Sequence, residues 1–98
     1  MFGETKKATD NLLSLGYEYY SQERYMDALD ILSKAVKAAD KTHDDYTYIK
    51  SYVYIGNIYT IFDDYEQALH YYKKSLVKAY KLKDEKAITT AKCNMLLC

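Results

Sequence analysis

Only a few side chains of this sequence are candidates to bind a metal ion. His43 precedes two aspartates, His70 stands alone, and Cys93 and Cys98 lie near the end of the chain. On a helix, five residues separate two side chains by about 140° around the axis, so the two thiols point in different directions. The spacing of these groups fits neither a closed metal site nor a disulfide. We therefore expect no metal, no cofactor and reduced thiols.

Catalytic motifs are not recognisable in the sequence. No Ser, Thr or Cys is flanked by a base motif that would activate it for nucleophilic attack. There is no glycine-rich loop to hold a phosphate. The acidic residues fall on polar helix faces, where solvation is the default role. The sequence predicts that the protein is not an enzyme.

The charge balance bears on the class of partner. Lys and Arg together number 14, as do Asp and Glu, so the formal net charge is zero. Nucleic acid and acidic membranes both require a basic excess. Lys74, Lys78 and Lys81 follow helical spacing, but we interpret them as a solvated outer face near a helix C-terminus. We expect no nucleic acid and no membrane as the partner.

Helices must position these side chains, because the chain has no Pro and only three Gly. Its 98 residues suit one domain with one modest core. Apolar residues recur at spacings of three and four, the period of an α-helix. The pattern predicts five helices at about 5–20, 24–39, 45–62, 65–82 and 85–97, with turns between repeats at 40–44 and 81–84.

The sequence contains an internal repeat with a constant offset. Residues 12–39 align with residues 52–79, and the identities in register include Gly16 with Gly56, Tyr19 with Tyr59, Tyr25 with Tyr65, Ala28 with Ala68 and Leu29 with Leu69. Small residues let two antiparallel helices approach closely, so each Gly is expected to face the Ala region of the next helix. Ser21 and Asp64 are expected as N-caps, the latter in a capping box with Gln67.

These residues resemble the tetratricopeptide repeat in two in-register copies, over nearly the whole chain. The repeat period, which is the offset from Gly16 to Gly56, is longer than usual for this motif. It is similar to that of kinesin light chains, spindle-orientation adaptors and bacterial peptide-sensing regulators, which form a long-repeat subtype. The resemblance implies an all-α fold in which antiparallel helix pairs stack as a right-handed α-solenoid of about two and a half repeats. One domain, 1–98, would hold repeat 1 at about 9–43, repeat 2 at about 49–83 and a partial repeat or capping helix at 85–98.

The resemblance also implies a site, since tetratricopeptide arrays bind extended or helical peptides on a concave face lined by the first helix of each pair. That face would carry Asp10, Leu13, Tyr17 and Tyr20 from the first helix, Lys50, Val53, Asn57 and Thr60 from the third, and Thr90, Cys93 and Leu97 from the fifth. The amide of Asn57 suits a peptide backbone, although it is equally an amide for solvent or helix packing. Chaperone-binding members grip a terminal carboxylate with Lys and Asn where this chain has Leu13 and Tyr17, so that function is not expected.

The leading interpretation is a protein–protein interaction module, a scaffold or adaptor that binds a peptide or helix in this groove. The alternative is the peptide-sensing regulatory domain of a larger bacterial transcriptional or signalling regulator. The first ten residues lack the apolar core of a signal peptide, and with the reduced thiols they predict a cytoplasmic protein. The fifth helix is apolar over more than one face, at Ala87, Ile88, Ala91, Met95, Leu96 and Leu97. It therefore predicts a homo-oligomer formed through the C-terminal helix.

Overall fold

The computed structural model describes residues 2–95, with side chains described from residue 8 onward. Five helices and no strands make up this part of the chain: α1 Phe2–Ser21, α2 Tyr25–Thr42, α3 Asp45–Ile61, α4 Tyr65–Leu82 and α5 Glu85–Asn94. The five predicted helices are confirmed. Helix α2 runs three residues further than predicted, and α5 ends at Asn94 because Met95 lies in a turn.

The four interhelical turns share one geometry and recur at equal spacing along the chain. Each contains one non-glycine residue with positive φ, namely Glu23, His43, Asp63 and Lys83. The amide that follows each of them donates a hydrogen bond to a carbonyl five residues back, as from Asp64 to Tyr59 at 2.9 Å. This left-handed residue with a long back-bond is the Schellman arrangement, which satisfies the last carbonyls of a helix.

Aspartates cap three of the four helices that follow a turn. Asp44, Asp64 and Asp84 accept hydrogen bonds from backbone amides three residues ahead, so the predicted cap at Asp64 is confirmed. The predicted cap at Ser21 is wrong. Ser21 is the last residue of α1, and Arg24 precedes α2 without a side-chain cap because the turn occupies the residues between them.

The helices stack in sequence as a solenoid. Helices α1 and α2 form one antiparallel pair and α3 and α4 the next, while α2 packs on α3 and α4 on α5. The first helices α1, α3 and α5 also approach one another in order, whereas no Cα atoms of α2 and α4 lie within 8 Å of each other in the described chain. Two layers of helices result, and the smallest dimension of the molecule is 17 Å. The exact limits of the two repeats stay a prediction.

Both predicted close approaches at glycine are confirmed, but the facing residue differs from the prediction. A Cβ on Gly16 would lie 2.5 Å from Cδ2 of Leu32, and one on Gly56 would lie 2.5 Å from Cδ1 of Tyr72. Each glycine therefore faces a large side chain one turn beyond the in-register alanine, rather than the alanine itself. The large side chain needs the space that the glycine leaves.

The core consists of two clusters along the stack. The first joins α2 to α3 through Leu32, Val36 and Ile58, with half-buried tyrosines packed around it. The second joins α3, α4 and α5 through Val53, Ala79, Ile88 and Ile49. Because each cluster spans successive helices, burial continues from one helix pair into the next.

Helix α5 exposes polar side chains within the described residues. Its exposed positions are Glu85, Lys86, Thr89, Thr90 and Cys93. Ile88 and Ala91 are buried. Ala87 and Met95 are half-buried, and Leu96, Leu97 and Cys98 lie outside the described residues, so the apolar surface over more than one face stays a prediction. Self-association through this helix stays a prediction.

Candidate binding groove

The candidate site lies on the surface that α1, α3 and α5 share, which we name the first-helix face. Among its predicted members, Asp10, Tyr17, Thr60, Thr90 and Cys93 are exposed. Tyr20, Lys50 and Asn57 are half-buried. The face therefore presents aromatic, amide, hydroxyl and ammonium groups together.

Two predicted members belong partly or wholly to the core. Val53 was predicted to line the concave face, but its side chain is only 7% exposed and packs with Ile49 and Ile88. Leu13 is half-buried against the first core cluster. Both face inward because α3 and α5, like α1 and α3, contact each other and bury the residues between them. Leu97, the last predicted member, lies outside the described residues.

Three tyrosine rings meet where α1 and α3 contact. The ring centroids of Tyr17 and Tyr20 lie 5.4 Å and 5.5 Å from that of Tyr54. Tyr17 remains 50% exposed, so its ring offers a flat surface to a partner. Burial, followed by the nearby Tyr17, raises the pKa of Tyr54, so this hydroxyl is neutral at physiological pH.

Tyr54 was missed by sequence reasoning. It corresponds to Ser14 in the first repeat, so the alignment of repeats gives no reason to place it on this face. It reaches the site because α1 packs beside α3 and the two helices share their exposed edge. Tyr54 could have been found by comparing the helical wheels of α1 and α3, rather than by comparing equivalent positions of the two repeats.

A network of an amide and hydroxyls occupies the second repeat. The hydroxyl of Tyr72 donates a hydrogen bond to Oδ1 of Asn57 and lies 3.3 Å from Oγ1 of Thr60. Thr60 in turn bonds the carbonyl of Gly56 at 3.0 Å. The NH2 group of Asn57 donates to no described residue. The amide oxygen is therefore engaged within the protein, whereas the amide donor is available.

Tyr72 reaches this face from the opposite layer. Its side chain is 4% exposed, and its ring passes over Gly56 to bring the hydroxyl beside α3. Burial is the main cause that raises the pKa of Tyr72, and the hydrogen bond with Thr60 acts in the opposite direction. Sequence reasoning did not select Tyr72, because it lies on a second helix.

The two repeats differ together at this network. The residues of the second repeat and their in-register counterparts in the first are Asn57 and Tyr17, Thr60 and Tyr20, and Tyr72 and Leu32. The side chain of Leu32 needs no hydrogen-bond partner, and Tyr17 and Tyr20 form the aromatic cluster with Tyr54 instead of a polar network. The first-helix face therefore changes from aromatic on α1 to polar on α3.

A cavity of about 300 Å³ lies between α3 and α5 on the same face. Apolar side chains of Ile49, Val53, Leu82 and Ala87 line it. Its polar lining consists of Tyr46, Lys50, Asp84, Lys86 and Thr90. Three predicted site residues, Lys50, Val53 and Thr90, thus contribute to one concavity.

Residues 2–95 contain neither a cluster arranged as a metal site nor a helix suited to span a membrane. No cluster of three or more His, Cys, Asp or Glu side chains in that range is arranged to hold a metal ion. Over the same range, no helix combines the length and apolar character that a membrane span requires.

The order of the helices and the paired repeats agree with what comparison with known proteins gives. The family model described as "Tetratricopeptide repeat" matches residues 8–76, from α1 into α4. The chain belongs to the tetratricopeptide repeat family. Repeats of this family generally mediate protein–protein interaction and scaffolding and are typically non-enzymatic. No curated protein and no solved structure matches the chain.

Proposed function

We propose that the protein is a scaffold or adaptor module that binds a peptide or a helix on its first-helix face. The observation that carries this proposal is the half-exposed Tyr17 ring on α1 together with Asn57 on α3, whose NH2 group has no partner among the described residues. Aromatic rings supply contact area with little loss of conformational entropy, and an amide donor fixes the register of a peptide carbonyl. The two groups come from adjacent first helices, so one ligand can contact both.

Asn57 has a defined role in this proposal. Because Tyr72 holds its carbonyl oxygen, the amide has one orientation, with the NH2 group as the donor. A preorganised donor loses less entropy on binding than a freely rotating one. Asn57 is therefore expected to bind a peptide carbonyl, and Tyr72 acts as the residue that positions it.

The second part of the proposal concerns subtype and location. Helix starts recur with the same long offset, from Tyr25 to Tyr65 and from Asp45 to Glu85, which supports membership of the long-repeat subtype. We also propose a cytoplasmic location, because the spacing of the two cysteines fits no disulfide. We propose no nucleic-acid partner, because the formal net charge is zero.

The test is selection of a random peptide library displayed on phage against the immobilised protein. Selected peptides should lose about tenfold or more in affinity for Tyr17→Ala and for Asn57→Ala, as expected for groups at the centre of an interface. Tyr80→Ala is the matched control, since Tyr80 is also 50% exposed but lies on α4. The proposal fails if no peptide is selected, or if Tyr80→Ala reduces binding as much as Tyr17→Ala does.

A further inference from the structure

The cavity between α3 and α5 combines an apolar floor with a charged rim. Its aliphatic lining comes from three helices or their ends, at Ile49, Val53, Leu82 and Ala87. A volume of about 300 Å³ is at the lower end of ligand pockets, which suits one or two side chains of a peptide. An apolar side chain inserted there would be removed from water on most sides.

The two ammonium groups of the rim have no carboxylate partner among the described residues. Lys34 and Lys78 pair with aspartates elsewhere in the structure, but Lys50 and Lys86 form no such ion pair. The Lys50 ammonium lies over the ring of Tyr46, with 5.9 Å from Nζ to the ring centroid. The rim therefore keeps two positive charges available.

Asp84 is the single acidic residue among those that line the cavity, and its carboxylate is engaged locally. Oδ1 of Asp84 accepts a hydrogen bond of 3.1 Å from the amide of Ala87 as the cap of α5. A carboxylate at a helix N-terminus is also stabilised by the helix dipole. Asp84 keeps its negative charge in this role, but Lys50 and Lys86 together outweigh it, so the rim carries a net positive charge and favours an anion.

We propose that this cavity selects an aliphatic side chain next to an acidic one in the bound peptide, with the side-chain carboxylate held between Lys50 and Lys86. This inference rests on the proposed peptide-binding function and names its ligand class. The aliphatic side chain fills the cavity, and its acidic neighbour forms charge-assisted hydrogen bonds at the rim. Charge complementarity, rather than the apolar floor alone, defines the occupant.

The experiment compares the sequences selected from one random peptide library by the wild-type protein, by Lys86→Glu and by the double variant Lys50→Glu/Lys86→Glu. Wild type should enrich Asp or Glu beside Leu, Ile or Val. The double variant should enrich Lys or Arg at the acidic position. Lys73→Glu/Lys81→Glu is the control, because both residues are exposed on α4 and neither lines the cavity. Circular dichroism melts verify that each variant folds.

Affinities of synthetic peptides complete the test. Replacing the acidic residue of a selected peptide by its amide should weaken binding to wild type about tenfold at low salt, and less at high salt. The same peptide with an amidated or a free C-terminus should bind equally, because the side chain supplies the carboxylate. Tighter binding of the free C-terminus would overturn the assignment to a side chain.

The outcomes separate this inference from the proposed function. If peptides depend on Tyr17 and Asn57 but show neither acidic enrichment nor a response to Lys50→Glu/Lys86→Glu, the inference is overturned and the proposed function stands. If no selected peptide depends on Tyr17 or Asn57, the proposed function is contradicted. Acidic enrichment that the charge-reversed double variant retains would also overturn the inference.

Discussion

At Gly56 the absence of a side chain brings the ring of Tyr72 against the backbone of α3. The close approach was predictable, because this glycine stands in register with Gly16 of the first repeat. The path of Tyr72 was not, since a sequence pattern does not say that a second-layer side chain crosses to the first-helix face. Because the ring of Tyr72 crosses at Gly56, its hydroxyl reaches α3 and donates a hydrogen bond to Oδ1 of Asn57.

Adding one methyl group at either glycine should destabilise the protein. A Cβ at position 56 would meet the rigid ring of Tyr72, whereas at position 16 it would meet the flexible end of Leu32. Overpacking of this kind costs about 1–3 kcal/mol. We expect Gly56→Ala to lower the free energy of unfolding more than Gly16→Ala does. Urea denaturation measures both, and equal stability of Gly56→Ala and wild type would contradict the packing.

Two buried serines should respond in opposite directions to the same substitution. Ser51 and Ser75 are both 0% exposed. Oγ of Ser75 donates to the carbonyl of Tyr72 at 2.7 Å, but Oγ of Ser51 has no hydrogen-bond partner among the described residues. Burying an unsatisfied hydroxyl is unfavourable by about 1–3 kcal/mol, and a satisfied one contributes about 1 kcal/mol. Ser51→Ala should raise the melting temperature and Ser75→Ala should lower it; a lower value for Ser51→Ala would refute the assignment.

The helices themselves were largely predictable, whereas their ends were not. Apolar periodicity and the register of Asp44, Asp64 and Asp84 give the starts of α3, α4 and α5. The turns hold left-handed residues that are not glycine, so the usual glycine signal is absent and α2 was predicted three residues too short.

The left-handed turn residues offer a stabilising substitution. Lys83 has φ of 55°, a region that is unfavourable by about 1–2 kcal/mol for residues with a Cβ. Lys83→Gly should therefore raise the free energy of unfolding by about 1 kcal/mol. Lys81→Gly, two residues earlier and still within α4, should lower it by a similar amount. Denaturant unfolding of the pair measures this difference, and destabilisation by Lys83→Gly would contradict the turn geometry.

For the whole molecule, the abundance of tyrosine predicts a loss of stability in alkali. Burial raises the pKa of several tyrosines above the ordinary value of 10.0: Tyr52, Tyr54, Tyr59 and Tyr72. The unfolded chain then loses these protons at lower pH than the folded chain. Their contribution to stability is present below pH 10 and is lost as the pH rises through the folded values.

Chemical denaturation at a series of alkaline pH values measures this effect. The free energy of unfolding should fall above about pH 10, and it should fall less steeply for Tyr52→Phe and Tyr72→Phe. Neither variant can ionise at the substituted position. A slope that is the same in wild type and both variants would show that these hydroxyls do not carry the effect.

The architecture follows from the repeat, but the site does so only in part. Two in-register copies are enough to predict stacked helix pairs, and the first helices do share one face. The cavity was not predictable, because it depends on how far α5 lies from α3 at Lys50 and Lys86 rather than on any one residue type. Val53 was placed on the surface for the same reason, since the approach of α5 buries it.

The central claim, that the first-helix face binds a peptide, is tested most directly by two-dimensional ¹⁵N NMR during titration with a peptide selected from the library. The account predicts that the largest shifts occur at the backbone amides of Tyr17 and Lys50 and at the side-chain NH2 of Asn57. Amides at exposed positions of the second layer, such as Lys34 and Lys74, should change little. Largest shifts on α2 and α4, with the Asn57 NH2 resonances unmoved, would contradict it.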